Sequence, residues 1–307
     1  MSTAWVAVGV RSTAMKRRRI GREAARRLAA SASLDDALAA LVSGPYGHEL
    51  RVGQSLAEAQ RAVVASMVWN LRVLAGWAPR TGVLMLRAFT AAIEIANVDD
   101  HLQVLAGAAA PAPYVLGALS TAWPRLAETS NVAELRSALA TSRWGDPGSN
   151  DPHDIAVFLR LSLAGRILTD LPLARPWAAG AAALVLAREV AFRRAAPPDR
   201  ARRMASRTVG RIAAAAGSLP ELASQLPTDA RWALADVGEP NDLWRAEIGW
   251  WQRVDRDATA MAKRGVTESD VLLGATARLA VDAWRVRAAL EVAARGNGRS
   301  EDFDAVA

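Results

Sequence analysis

The sequence predicts an all-α protein, on three observations. Apolar residues recur at spacings of three and four through most of its 307 residues. Alanine makes up roughly a fifth of the chain, and every basic residue except Lys16 and Lys263 is an arginine. Both are good helix formers. Period-two runs of Val, Ile, Thr and Tyr, the mark of half-buried strands, do not occur.

The elements follow in order. An aromatic-led helix opens at Trp5. Residues 11–28 read as one amphipathic helix, with Arg11, Arg18, Arg22 and Arg26 on one face and Ile20, Ala24 and Leu28 roughly opposite. Ser33, with Asp36 three residues on, begins the next helix. Leu56, Ala59, Val63 and Met67 form one apolar stripe, and Leu84, Phe89, Ala92, Ile93 and Ala96 form another. Breakers then punctuate the chain at Pro111 to Pro113, Gly145 to Pro152, Pro197-Pro198, Pro227 and Gly238 to Pro240. Ser218 with Glu221 resembles a capping box. A last long stripe carries Leu272, Leu273, Leu279, Trp284 and Leu290. About a dozen helices are expected in a single all-helical domain, residues 1–307. Trp250-Trp251 cannot both face one core from a single helix, so one of them is expected at a contact between units or at a partner surface.

Charge is unevenly placed. Residues 1–27 hold eight basic side chains against one acid, Glu23, which equals the net charge of +7 for the whole chain. A solvated face is one reading of this patch, a docking surface for an acidic protein partner is another, and nucleic acid or anionic lipid is the last. No groove-reading motif accompanies it, so nucleic acid is not expected. The longest apolar run, Trp177 to Ala187, is short of the roughly 18–20 residues of a membrane span. The first apolar stretch precedes the basic cluster, the reverse of a secretory signal. A cytoplasmic protein is expected. With no cysteine, disulfides, thiolate metal sites and thiol nucleophiles are ruled out.

The chain repeats itself. Ser33 to Leu41 recurs as Asn131 to Leu139 and again as Ser218 to Leu226. An aromatic follows each copy: Tyr46, Trp144 and Trp232. Further on, each copy is followed by an acid within an apolar helix: Glu94, Glu189 and Asp282. Three related helical units are expected, at approximately 1–110, 111–205 and 206–307. An acid on an apolar face must pair or cap, because burying it unpaired is costly. A strut at the joint between units is the expected role, with Asn97 satisfying backbone groups nearby.

These residues resemble the central-stalk connector of V/A-type rotary ATPases, the C subunit of the prokaryotic enzyme and the d subunit of the eukaryotic one. The likeness lies in the aromatic-led helix Trp5 to Ile20, with Val10-Arg11 and Met15-Lys16-Arg17. It continues in Leu41-Val42-Ser43-Gly44-Pro45-Tyr46, with Ser in place of Thr, and in Glu94-Ile95-Ala96-Asn97-Val98 followed by Leu102 and Gly107. Asp282 to Gly296 is a weaker echo, with Arg285 where Asn is usual, and the middle unit has Phe192 there. The resemblance implies a funnel-shaped, non-catalytic body of three related units. It implies a rotor shaft and a membrane proteolipid ring as partners, and a place at the cytoplasmic face of the cell membrane, held through other subunits. Arg11, Arg18, Arg22 and Arg26 are the candidate partner-binding residues. A helical scaffold or adaptor outside that machine is the alternative, and a metal-dependent helical enzyme is a weaker one.

Catalytic motifs are not found. The sequence has no phosphate loop, dinucleotide fingerprint or nucleophile elbow. Asp99-Asp100-His101 has Gln103 where a diphosphate-binding Asp-Asp-x-x-Asp needs its last acid. The loop Asp146, Asn150, Asp151, His153, Asp154 could hold a cation, although a solvated loop with a helix cap explains it as well. No cofactor, metal or small-molecule substrate is expected.

Overall fold

The computed structural model describes residues 3–194, 197–265, 267–296 and 300–306. Helix accounts for 74% of the chain and the described residues include no strand, so the protein is all-α. The chain forms two compact units, residues 1–86 with 251–307, and residues 87–250. These boundaries differ from the three spans of the sequence repeat.

The first unit holds α1 (Thr3–Ala14), a 3-10 turn (Met15–Arg18), α2 (Arg22–Ala29), α3 (Leu34–Val42) and α4 (Leu56–Ala75). Of the elements in the later part of the chain, it takes the second half of α13 (Leu243–Arg264), α14 (Glu268–Ala294) and α15 (Ser300–Val306). The axis of this unit is α14, against which α1, α2, α3, α4 and α15 all pack. Leu272, Leu279, Val286 and Leu290 are buried on it, and so are Leu273, Val281 and Val292. A helix covered on all sides has no polar face to show in its pattern. At Gly274 an added Cβ would lie 3.0 Å from the Ala258 carbonyl oxygen, so α13 and α14 touch backbone to backbone there.

The second unit holds most of α5 (Arg80–Leu105), then α6 (Trp123–Leu126), α7 (Val132–Ala140), α8 (Pro152–Asp170), α9 (Arg175–Arg188), α10 (Asp199–Val209), α11 (Leu219–Gln225) and α12 (Thr228–Arg231). Its core forms where α8, α9 and α10 pack on one another. The apolar run Trp177 to Ala187 is the interior of α9. A π turn, Glu189–Arg193, follows α9 and ends at Arg194, whose φ is 52°.

The expected caps are present. Ser33 accepts the Asp36 N–H at 3.2 Å and Ser218 accepts the Glu221 N–H at 3.4 Å. Glu221 reaches back to the Gly217 N–H rather than to the cap itself, so reciprocal boxes are found elsewhere, at Ser55/Glu58 and Thr267/Asp270. The two adjacent tryptophans divide between the units. Trp250 donates to the Trp177 carbonyl at 2.8 Å, while Trp251 stacks on Trp284 with ring centroids 5.4 Å apart. Among the described helices α5 alone is long and apolar enough to cross a membrane, and half of its most apolar window is buried in the protein. Its fully buried, hydrogen-bonded Glu94 and Asn97 fit a core helix.

One expectation is corrected. Residues 11–28 are not one helix: Arg19 is extended (φ −128°, ψ 145°) and Gly21 has φ 80°, so the chain turns between the 3-10 turn and α2. Arg11 and Arg18 therefore do not share a helix face with Arg22 and Arg26.

Gly180 separates packing from propensity. A Cβ there would lie 2.6 Å from Trp232 Cζ2, whereas one at Gly165 would meet nothing within 4 Å. Gly180→Ala is expected to destabilise the protein by about 1–3 kcal/mol. Gly165→Ala is expected to stabilise it by up to about 1 kcal/mol. Urea unfolding of both variants checks the contrast.

Candidate functional site

Two buried carboxylates organise the fold locally. Asp282, on α14, is 2% exposed. It accepts the Ile20 N–H at 3.0 Å, the Gly21 N–H at 2.8 Å and the Tyr46 O–H at 2.9 Å. Glu94, on α5, is fully buried. It accepts the Thr121 N–H at 2.5 Å, the Ala122 N–H at 2.9 Å, the Ser120 O–H at 3.0 Å and the Trp144 indole N–H at 2.7 Å. Each acid thus sits at the start of a short helix, α2 or α6, where backbone N–H groups have no partner within the helix and negative charge is favoured. Each also takes the side-chain donor of the aromatic that follows the next helix. That aromatic is tied from behind in both places: the Tyr46 carbonyl accepts the Ser66 O–H at 3.2 Å, and the Trp144 carbonyl accepts the Ser162 O–H at 3.0 Å.

These bonds explain the break at residues 19–21. In a continuous helix the Ile20 and Gly21 N–H groups would donate to carbonyls four residues back. Here they donate to a charged acceptor, and charge-assisted hydrogen bonds are about twice as strong as neutral ones. Gly21 supplies the positive φ that the turn needs.

Burial pushes the Asp282 carboxyl above its usual range, against the pull of the Gly21 and Ile20 N–H groups, the Tyr46 hydroxyl and the Arg19 charge. Burial, then the neighbouring Asp282, pushes the Tyr46 phenol well up. Arg19 is held below the usual guanidinium range by burial and then by Arg278, while Asp282 and Asp255 act the other way.

The third acid is met differently. Glu189 is 6% exposed and lies 2.9 and 3.0 Å from the His153 Nε2. Gly210 has φ 86°, close to the 80° of Gly21, but its N–H donates to the Ser206 carbonyl at the end of α10. The Trp232 indole N–H goes to the Asp229 carbonyl at 2.8 Å. The residues three positions after each acid also diverge. Asn97 clamps both backbone groups of Tyr114, at 3.0 and 2.7 Å, and Arg285 pairs with Asp255 at 2.9 Å. Phe192 is 62% exposed.

The candidate partner-binding arginines divide. Arg11 lies over the Trp77 ring at 3.8 Å from its centroid, and Arg26 pairs with Asp304 at 2.8 Å. Arg18 is exposed, with Trp69 5.9 Å away, and Arg22 is exposed. Lys16, Arg17 and Arg27 are exposed as well, and among the described residues none of these last four pairs with an acid. The whole-chain balance hid a second basic stretch, residues 188–211, with eight arginines against Glu189 and Asp199. Arg200, Arg203 and Arg207 lie exposed along α10 at helical spacing.

The acidic loop is engaged internally. Asp146 accepts from Arg136 at 2.9 Å and from the Gly148 N–H at 2.8 Å. Asp151 caps α8 through the His153 and Asp154 N–H groups. Asp99 pairs with Arg160 at 2.7 Å. Among the described residues no group of three or more His, Asp or Glu is placed to hold a metal ion. No protein-family model matches the chain, and no curated protein matches it.

Sequence reasoning located the acids and aromatics but not their backbone donors or the serines behind them. A signal existed for the serines: Ser66 and Ser162 are each a hydroxyl inside an apolar helix, 20 and 18 residues after the aromatic.

Tyr46→Phe and Trp144→Phe each remove a donor from a buried carboxylate, and each is expected to cost about 1.5–3 kcal/mol in denaturant unfolding. The Asp282 pKa is raised in the folded state, so folding favours its protonated form. Its contribution to stability is therefore greatest at acid pH and declines as pH rises through the folded-state pKa. Unfolding of the wild type and of Asp282→Asn, followed from acid to neutral pH, is expected to show this decline in the wild type and not in the variant.

Proposed function

We propose that the protein is a non-catalytic helical connector, the central-stalk subunit of a V/A-type rotary ATPase, joining the soluble rotor shaft to the membrane proteolipid ring. The observation that carries this reading is the recurrence of one joint. Asp282 with Gly21 and Tyr46 repeats in Glu94 with Ala122 and Trp144, down to the serine behind each aromatic. Such recurrence is expected of a body built from three related units, in which the third joint has diverged at Glu189 and Trp232. The sequence resemblance supplies the funnel-shaped body and the machine.

Torque transmission requires stiffness, and a charged acceptor shared by two backbone donors and a side chain resists sliding. The exposed cations Lys16, Arg17, Arg18, Arg22 and Arg27, which form no ion pair among the described residues, supply a surface for acidic groups of the shaft or ring. Electrostatic complementarity of that kind favours fast, specific and reversible association.

Purification of the tagged protein at its natural level from gently solubilised membranes tests the proposal. Stalk and proteolipid subunits are expected to accompany it. Recovery without them would remove the rotary reading and leave a helical adaptor. In the same preparation, charge reversal at Arg17, Arg22 and Arg27 is expected to lower recovery of partners by about tenfold or more, while leaving the circular dichroism of the isolated protein unchanged.

A further inference from the structure

A small cavity in the first unit lies where the end of α1 and the following 3-10 turn meet α14 and the end of α13. Its volume is about 50 Å³. Three cations line it, Lys16, Arg19 and Arg278, and no acid does. Val271 and Met15 contribute apolar walls. Ser12, 3% exposed, also lines it, and its hydroxyl has no hydrogen-bond partner among the described residues. The buried Nε of Arg278 has none among them either. Thr13 sits at the rim with its hydroxyl donated to the Gly9 carbonyl at 3.0 Å.

The nearest carboxylates do not resolve this concentration of charge. Asp255 pairs with Arg285 at 2.9 Å, and Asp282 is taken up by Ile20, Gly21 and Tyr46. Lys16, Arg19 and Arg278 make no ion pair among the described residues. A buried donor without an acceptor costs about 1–3 kcal/mol, and placing two guanidinium groups side by side adds repulsion. A negatively charged acceptor in the cavity would relieve both. A single water-sized oxygen needs about 10–15 Å³ of such space, so the volume suits about four oxygens.

We propose that this cavity is a binding site for one small tetrahedral oxyanion, inorganic phosphate or sulfate, held by Arg19, Arg278, Lys16 and the Ser12 hydroxyl. Bound there, the ion bridges α14 to the segment that leads into the Asp282 joint, and so clamps the N-terminal helix to the unit. The site does not depend on the stalk reading: it would exist in an adaptor as well.

Calorimetric titration of the full-length protein with inorganic phosphate, at an ionic strength fixed with chloride, tests the proposal. One phosphate per chain is expected. Arg278→Gln is expected to weaken binding by about tenfold or more and Ser12→Ala by about threefold. Arg17→Gln, an exposed cation outside the lining, should leave affinity unchanged. Thermal unfolding keeps the test sound if a variant folds poorly. Without phosphate, Arg278→Gln should unfold at or above the wild-type temperature, because it removes a like charge beside Arg19. In phosphate the order should reverse.

Sulfate is expected to compete. A phosphate monoester such as glycerol phosphate is expected to bind more weakly than the free ion. Tighter binding of the monoester would overturn the free-ion assignment in favour of a phosphoryl group on a larger molecule. Uptake no greater than in the chloride control, or equal losses in the Arg17 and Arg278 variants, would overturn the site.

Discussion

A carboxylate placed inside an apolar body must be surrounded by donors, and this requirement shapes much of the protein. Asp282 and Glu94 are both nearly or fully inaccessible. Neither forms a direct ion pair with an arginine among the described residues. Each is met by two consecutive backbone N–H groups and by the polar end of an aromatic ring. A bond to backbone fixes the chain itself, where a bond to a long flexible side chain would fix only its tip. One acid therefore sets where a helix starts, how the preceding chain turns and where an aromatic sits. The break between Arg19 and Gly21 is a direct consequence.

The two joints also show how a buried polar network holds a single arrangement. The acid needs the aromatic donor, and the aromatic's own carbonyl is held by a serine from the next helix. Removing one member leaves others buried and unsatisfied, which is costlier than losing one bond. Glu189 marks the limit of the pattern. The Gly210 N–H is engaged within α10, and Glu189 meets the His153 ring instead. In the proposed connector, two stiff joints and one altered joint would make the units mechanically unequal.

Charge is arranged by the opposite logic. Asp282 and Glu94 are buried and hydrogen-bonded, while Arg17, Arg22 and Arg27 are exposed and pair with no acid among the described residues. Arg17, Arg22 and Arg27 lie exposed near the turn that Asp282 creates, while Lys16, itself exposed, lines the cavity with Arg19 and Arg278. The same turn thus separates outward-facing cations, suited to a macromolecular partner, from inward-facing ones, suited to a small anion.

The all-α class, most helix positions, the cap at Ser33 and the importance of Glu94, Asn97 and Asp282 were legible in the sequence. Helical periodicity, turn residues and an acid in an apolar run are local signals, and local chemistry is enough to write them. The sequence did not disclose the break within residues 11–28, because periodicity alone favours an unbroken helix there. It takes a carboxylate more than 260 residues away to outbid the helical carbonyls. Nor could it show that Trp232 and Glu189 take partners other than each other, or that Ser12 and Arg278 share a cavity. Which donor meets which acceptor across the chain is settled only by packing, since hydrogen bonds are short and directional and sequence spacing says nothing about distance in space.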